Sequence, residues 1–321
     1  MLSACSEPSV ADRIARAESN LQSGDLKAAR LDLISVVNEQ PDNRDARLKL
    51  AQTYLALEDG EGAWSQLDAL GDTGADLAVL RAEAELYRGR PAEALELAAT
   101  TDDADAHRIR ARAHVALGDF DAARSELEKG VEASPGDAAI LSDYALFALA
   151  DGDTPKASEL TRRAAKAAPD AIGTRLAMGR LALAKESPDR ALSHFDAILE
   201  QRADHAAAVI GKADALGELG QLDALEDFLD ANEATLGSDL RFAVLQARLA
   251  ATRGEWEEVR ALLQSREKEL RDQPEGAYIY ATALTQLGNR ELARTYLTRL
   301  ETRYPGDPRV AQLRSRIQSS D

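Results

Sequence analysis

The fold is decided by a pattern that is clearest in residues 111–135, ARAHVALGDFDAARSELEKGVEASP. A Gly-Asp pair beginning at Gly118 separates two helix-forming runs, and Pro135 follows the second run. Glycine accepts the left-handed backbone of a tight turn and proline stops a helix, so the stretch predicts helix, turn and helix. Ala111 and Ala123 lie seven residues before the glycine and five after it. Residues this small let two antiparallel helices approach closely.

The same arrangement recurs along the whole chain. Six of the eight steps between equivalent turn positions are 34 residues long, and the other two are 31 and 29 residues. These turn anchors are Gly24, Glu58, Gly89, Gly118, Gly152, Glu186, Gly220, Gly254 and Gly288. Seven residues before each anchor stands an alanine or glycine: Ala17, Ala51, Ala82, Ala111, Ala145, Gly179, Ala213, Ala247 and Ala281. Five residues after the anchor, seven of the nine positions are alanine, the exceptions being Leu225 and Val259.

Larger residues and prolines agree with this register. A large apolar residue stands nine positions after most anchors, as at Leu33, Leu67, Leu127, Phe195, Leu263 and Leu297. Proline stands 17 positions after four anchors, at Pro41, Pro135, Pro169 and Pro305. The second and third repeats are shorter, so truncated second helices are predicted there. Glu58 and Glu186 replace the anchor glycine, so those turns either avoid positive φ or tolerate strain.

On these residues the chain resembles the tetratricopeptide repeat (TPR) family, whose unit is a 34-residue helix–turn–helix. The resemblance implies an all-α, right-handed superhelical solenoid of about nine repeats over residues 10–305. Residues 306–321 are predicted to form a capping helix and tail, with Val310, Leu313 and Ile317 at helical spacing. Residues 1–9 are interpreted as a lipidation remnant and tether.

Composition excludes several classes of protein. The 321 residues include 39 basic and 56 acidic side chains, giving a formal charge of −17. Because nucleic-acid binders need a cationic surface, DNA and RNA are not expected partners. One cysteine, Cys5, cannot form an intramolecular disulfide. No stretch approaches the roughly 18 apolar residues that a spanning helix needs.

No catalytic motif is present. The sequence contains no phosphate-binding loop, HExxH or GxSxG, and its four histidines lack the spacing of a metal site. We therefore expect no enzyme activity, cofactor, metal or small-molecule substrate. Thr101-Asp102-Asp103 could form a weak calcium loop, although helix N-capping is the simpler interpretation. The eight acidic residues from Asp214 to Asp239 indicate a solvated face, or in part a docking patch for a basic partner.

The predicted groove carries arginines despite the acidic composition. In TPR solenoids the first helix of each repeat lines the concave groove, and the residue six before the anchor points into it. The candidate groove residues are Arg108, Arg112, Leu146, Arg180, Asp214, Arg241, Arg248, Tyr278 and Thr282. Arginine suits capture of carboxylates from an extended peptide. Alternatively Asp214 pairs with Arg180 and Arg248 and leaves a neutral surface. The lysine and asparagine clamp of chaperone-binding repeats is not present at these positions.

The N-terminus gives a separate signal. Leu2-Ser3-Ala4-Cys5 resembles a bacterial lipobox, in which the cysteine is lipidated. The basic and apolar regions that precede a lipobox are missing, so a truncated start and an accidental match are both open. A lipid on Cys5 would be the only membrane attachment, and family habit places such proteins at the outer membrane, facing the periplasm. A true start at Met1 would instead favour a cytoplasmic protein.

A finer resemblance concerns about the first seventy residues. This region is similar to the repeat lipoproteins of exosortase and exopolysaccharide systems. The similarity lies in the lipobox and in the segments that follow it, residues 11–24, Ala28-Ala29-Arg30-Leu31 and residues 38–43. Residues 51–57, AQTYLAL, fit their second repeat. The leading hypothesis is therefore a non-catalytic scaffold that binds protein or peptide segments and serves an envelope assembly or export system. The alternative is a soluble cytoplasmic TPR adaptor or co-chaperone-like module.

Overall fold

The protein consists of helices separated by short turns. The fold is taken from a computed structural model, which describes residues 8–71 and 74–319. No strand occurs in these ranges. The helices are α1 (Val10–Ser23), α2 (Leu26–Glu39), α3 (Arg44–Ala56), α4 (Gly60–Ala69), α5 (Ala75–Tyr87), α6 (Pro91–Ala98), α7 (Ala104–Leu117), α8 (Phe120–Ala133), α9 (Ala138–Ala150), α10 (Thr154–Ala167), α11 (Ile172–Ala184), α12 (Pro188–Gln201), α13 (Ala206–Glu218), α14 (Leu222–Leu236), α15 (Leu240–Arg253), α16 (Trp256–Leu263), α17 (Pro274–Gln286), α18 (Arg290–Arg303) and α19 (Pro308–Ser319).

Every predicted anchor lies in the turn between an odd-numbered helix and the next one. All nine anchors have positive φ, including Glu58 at 60° and Glu186 at 54°. Of the two alternatives for the glutamates, the strained left-handed turn is the one observed. In the residues that the structure describes, these are the two non-glycine residues with positive φ. The turn geometry is therefore imposed by the repeat even where the residue disfavours it.

The small residues predicted to lie between helices are buried in every repeat. The alanines seven positions before the anchors are at most 1% exposed, and Gly179 is buried as well. Five positions after the anchors, Leu225 and Val259 are as buried as the seven alanines. Helices α2, α8, α10 and α18 each end two residues before the proline that closes their repeat. The predicted register and the all-α repeat fold are confirmed.

Three second helices are shorter than the others. Helices α4 and α6 have 10 and 8 residues, against 14 in α2, which confirms the predicted truncation. The 8-residue α16 is also short, although its repeat has the regular length. Two 3₁₀ segments, Gln264–Arg266 and Glu269–Asp272, continue the chain towards α17. The second of these segments buries Leu270, so the missing helical turns are replaced by another core contact.

The chain forms two compact units. One contains the described residues up to Ala184 together with Glu200–Ala203, and the other contains Lys185–Leu199 and the described residues from Asp204 onward. Within each unit the core is a series of local clusters between neighbouring helices. In the second unit, α19 buries Val310, Leu313 and Ile317 against α17 and α18, as expected of a capping helix.

Candidate functional site on the inner helices

A cluster of polar side chains lies on α5, α7 and α9 of the first unit. These are the first helices of three consecutive pairs, and α7 contacts both of the others. Each contributes two residues near the repeat position that faces the predicted groove: Glu83, Tyr87, Arg108, Arg112, Asp143 and Leu146. We call these six residues the inner cluster. The repeat thus brings together side chains of three helices. These side chains are up to 63 residues apart in sequence.

Arg108 is held by carboxylates on both sides. Its side chain is only 15% exposed, and its Nη2 donates to Glu83 Oε1 at 3.3 Å. Its Nη1 lies 3.9 Å from Asp143 Oδ2. Burial disfavours the charge of Arg108, but the neighbouring carboxylates outweigh this effect and raise its pKa. Arg108 therefore has a structural role as the paired cation at the centre of the cluster.

Arg112 is more accessible than Arg108. Its side chain is 37% exposed, and its guanidinium lies over the Tyr87 ring, 5.3 Å from the centroid. Its Nη1 is 3.5 Å from Glu83 Oε1. Burial raises the pKa of Tyr87, so the phenol remains a neutral platform for the guanidinium. The ring therefore holds the guanidinium in place, and some of the N–H donors of Arg112 stay accessible.

An acceptor and an apolar side chain lie on the next inner helix. Asp143 Oδ2 is buried without a hydrogen-bond partner among the described residues, although its ion pair with Arg108 compensates part of the charge. Burial raises the pKa of Asp143, while the coulombic effects of Arg112 and Arg108 oppose this rise. Leu146, half-buried, lies one turn further along α9. The inner cluster thus combines a donor, an acceptor and an apolar side chain.

In the second unit, the first helices of the repeats carry a different set of charged residues. Arg248 on α15 donates to Asp214 Oδ1 at 3.0 Å and to Glu275 Oε1 at 3.2 Å. Burial and the charge of Asp214 raise the pKa of Glu218 nearby. For Arg248 the ion-pair alternative with Asp214 is therefore observed.

The remaining predicted groove residues differ in how much surface they expose and in the residues that they contact. Arg241 is exposed and lies 3.7 Å from Asp239, at the start of α15. Tyr278 is half-buried, with its hydroxyl 3.5 Å from Gln312 of α19. Thr282 is only 4% exposed, and its hydroxyl donates to the Tyr278 carbonyl, so it offers little surface to a ligand. Arg180 is half-buried on α11 of the first unit.

Sequence reasoning had missed Tyr87, Asp143 and Glu275 as members of these surfaces. All three lie on inner helices, but two, nine and thirteen residues before their anchors rather than six. Helical periodicity would have found them, because residues three to four apart share one face of a helix. The prediction had used mainly the position six before the anchor, with Arg108, Arg241 and Tyr278 from earlier turns, and so covered part of a wider surface.

Other sequence candidates have structural roles. Asp103 caps α7 by accepting from the Ala106 amide at 2.8 Å, which confirms the N-cap interpretation. His107 is buried, with Nδ1 2.8 Å from Glu126 Oε2, and His205 caps α13. No group of three potential ligand side chains is arranged for a metal ion within the described ranges.

The acidic stretch of the second unit is partly neutralised. Glu226 accepts two hydrogen bonds from Arg253, at 2.5 and 2.7 Å, and Asp239 caps α15. Cys5 lies outside the described residues. Within them, no helix has both the length and the apolar character that crossing a bilayer requires.

Comparison with known proteins identifies the repeats. The tetratricopeptide repeat family matches residues 20–86 and 114–179, and a second variant of that repeat matches residues 176–231. No curated protein matches the sequence. A tetratricopeptide repeat protein from Parabacteroides merdae has 14% identity and a TM-score of 0.52, over 86% of this chain and 98% of that one.

Two further solved structures are similar at lower scores. PilF from Pseudomonas aeruginosa has 18% identity and a TM-score of 0.39, with 85% of this chain and 96% of that one covered. Yeast Tom70 has 15% identity and a TM-score of 0.42, with 97% of this chain and 69% of that one covered.

Proposed function

Because the chain belongs to the tetratricopeptide repeat family, whose matches cover more than half of it, we propose that it is a non-catalytic protein–protein interaction scaffold. The observation that carries this proposal is the inner cluster. A partly exposed arginine on an aromatic platform, with a half-buried apolar side chain on the next first helix, suits an extended protein segment. Such a segment offers carboxylates, amide donors and apolar side chains along one strand.

Arg112 is the residue on which this proposal depends most. Arg108 and Arg248 each donate a hydrogen bond to a carboxylate, at 3.3 and 3.0 Å. Arg112 lies over a ring, with Nη1 3.5 Å from Glu83 Oε1, and is 37% exposed. A carboxylate of the bound segment would form a charge-assisted pair with Arg112 and displace water from the Tyr87 platform. The expected partner is therefore a segment that places one carboxylate, from a side chain or a C-terminus, at Arg112. The charge of −17 argues against a polyanionic nucleic acid.

The test compares two charge reversals in affinity capture. Arg112→Glu should lose the proteins that wild type retains, while Arg162→Glu should keep them. Arg162 is exposed on the second helix of its pair, α10, so it controls for the same change in net charge. Thermal unfolding should be nearly unchanged for Arg162→Glu and modestly less favourable for the folded state in Arg112→Glu, because the new carboxylate lies near Glu83 and Asp143. Equal capture by both variants would show that Arg112 does not contact the bound segment, and unfolding of Arg112→Glu at the capture temperature would show that its role is structural.

The cellular location is a second part of the proposal. Because Leu2-Ser3-Ala4-Cys5 resembles a lipobox, we propose that the protein is lipid-anchored and faces the periplasm. There it would serve envelope assembly or the export of exopolysaccharide and protein. In a full-length precursor, Cys5→Ala should move the protein from the membrane fraction to the soluble fraction, and Ser6→Ala should not. Lipidation supplies the attachment that the described helices lack. Soluble wild-type protein would favour the cytoplasmic adaptor instead.

A further inference from the structure

The fourth repeat exposes apolar side chains around its turn. Val115 and Leu117 end α7 and Phe120 begins α8, so all three lie within six residues of one another. Their exposed fractions are 42%, 51% and 57%. We call these three residues the repeat-four edge. Large apolar side chains clustered on one exposed turn indicate an interaction surface more often than scattered single ones do.

Other repeats bury the equivalent positions to a greater extent. Two residues after the anchor, Leu222 and Trp256 are half-buried and pack against core clusters. One residue before the anchor, Leu57, Leu219 and Leu287 are half-buried. Three residues before it, Leu55 is only 6% exposed, and Leu86 is half-buried. The fourth repeat therefore exposes apolar side chains at three positions of its turn where the apolar side chains of other repeats are half-buried or buried.

The charges around this edge restrict what can cover it. Asp119 and Asp121 lie on either side of Phe120, and both are exposed. The nearest arginine of α8, Arg124, donates to Asp151 at 2.9 Å. An anionic lipid surface would be repelled by these two carboxylates. A second copy would bring the same carboxylates face to face in a symmetric contact, and each chain carries a charge of −17.

We propose that the repeat-four edge docks a segment of another protein in which apolar side chains are flanked by lysine or arginine. The apolar side chains would cover Val115, Leu117 and Phe120, and the basic ones would pair with Asp119 and Asp121. This is the usual division of an interface into an apolar centre and a charged rim. The surface shares no residue with the inner cluster, although Val115 lies one helical turn after Arg112 on α7. The two surfaces prefer segments of opposite charge.

The experiment uses the full chain and a labelled amphipathic peptide made only of leucine and lysine, with binding followed by fluorescence anisotropy. The double variant Leu117→Ser, Phe120→Ser should bind about tenfold more weakly than wild type, because the apolar centre of the contact is removed. Both residues are more than half exposed, so the fold should be retained, and circular dichroism checks this. Leu31→Ser is the matched control, since Leu31 is 65% exposed on α2, far from this turn in sequence.

Charge variants test the rim separately. Asp119→Asn with Asp121→Asn should weaken the peptide several-fold and reduce the salt dependence of binding, while asparagine preserves the N-cap of α8. An analogue peptide with glutamate in place of lysine should not bind. Equal peptide binding by wild type and the double serine variant would overturn the proposal, since a protein this acidic attracts any basic peptide.

Two other outcomes would also overturn it. Vesicles of phosphatidylcholine or phosphatidylglycerol that bind wild type but not the double serine variant would make the edge a membrane contact. Dimerisation of wild type, abolished by the same variant in sedimentation experiments, would make it an interface between copies of this chain.

Discussion

At the scale of the residue, the turn anchors show how strongly neighbouring packing dictates the backbone. Each anchor sits between two helices whose close approach is fixed by the small residues seven before it and five after it. Once those alanines are buried, the few residues between the helices must reverse direction through a left-handed position. Glutamate at 58 and 186 follows this path at a cost of about 1–2 kcal/mol relative to glycine.

Exchanging glycine and non-glycine residues at the anchors should change stability in opposite directions. Gly254→Ala should lower the free energy of unfolding by about 1 kcal/mol, because φ at this position is 77° and alanine disfavours it. Glu186→Gly should raise it by up to about 1 kcal/mol, since relief of strain exceeds the added chain entropy. Urea unfolding measures both changes. Gly306→Ala, in open space and without positive φ, is the control and should be neutral or slightly stabilising.

A second residue-scale feature is the ion network around Glu126 on α8. Arg110 Nε donates to its Oε2 at 2.6 Å, Lys129 Nζ donates to its Oε1 at 2.8 Å, and His107 Nδ1 is 2.8 Å from Oε2. Burial by itself would raise the pKa of Glu126, but these three hydrogen bonds lower it from 4.5 to about 2. Arg110 also donates to the carbonyls of Ala98 and Thr101, so the network joins α7 and α8 to the preceding loop.

The network predicts a loss of stability in acid. A carboxyl whose pKa is lowered on folding stabilises the protein above its unfolded pKa, near 4.5, and loses that contribution as pH falls towards 2. The difference in unfolding free energy between wild type and Glu126→Gln should therefore shrink by about 2 kcal/mol between pH 6 and pH 3. Glu132→Gln, exposed on the same helix, is the control. A pH-independent difference would mean that the carboxylate is not held in its charged form.

At the scale of the element, contacts between repeats depend on how closely two helices can approach. Gly60, the first residue of α4, lies against the last turn of α5. A Cβ added to Gly60 would lie 2.6 Å from the Ala84 carbonyl oxygen and 2.8 Å from the Arg88 amide nitrogen. These atoms are backbone and cannot move aside as a side-chain tip could. The truncated α4 thus meets α5 directly through its first residue.

Because α4 and α5 approach so closely at Gly60, one methyl group added there should have a large effect on stability. Gly60→Ala should lower the free energy of unfolding by about 1–3 kcal/mol, because α4 or α5 must shift to relieve the overlap. Gly136→Ala adds the same methyl group in open space at a residue without positive φ, so it should be neutral or slightly stabilising. Thermal unfolding of the two variants gives the comparison. An equal effect of both substitutions would contradict the close contact between α4 and α5.

Elements and register were predictable from the sequence because the repeat states them nine times. Anchors, small buried residues and closing prolines are local features, and most helix lengths follow from their spacing. The short α16 was not predictable, since its repeat keeps the regular spacing and its 3₁₀ segments depend on burying Leu270. Likewise the pairing of Arg108 with Glu83 and Asp143 depends on which helices are neighbours and on how far each side chain reaches.

The candidate site was predictable only in part, because it too depends on which helices and side chains are neighbours. Sequence reasoning named Arg112 and Arg248 as groove residues, but it could not rank them. Their difference arises from surroundings, since Arg248 meets two carboxylates and Arg112 meets one aromatic ring and one carboxylate. The exposure of Phe120 was equally hidden, because the same position is half-buried at Leu222 and Trp256.

At the scale of the whole molecule, each unit is stabilised by successive local clusters rather than by one central core. In the first unit, Leu33 belongs to a cluster formed by α1, α2 and α3, while Leu160 belongs to one that extends from α7 to α11. The two clusters share no residue. Stability in such an array is a sum of repeat and nearest-neighbour contributions, so a local defect is expected to stay local.

Amide hydrogen exchange can show whether defects remain local in the first unit. Leu33→Ala and Leu160→Ala remove the same buried atoms from residues that are both fully buried, so each should cost about 2–5 kcal/mol. Leu33→Ala should speed exchange in α1 to α3 and leave α9 and α10 unchanged, because no cluster links them. Leu160→Ala should give the reverse pattern. The two variants control for each other, since they share the substitution and differ only in position. If either one accelerated exchange equally from α1 to α10, the first unit would unfold as a single cooperative body, and its repeats could not be treated as independent binding elements.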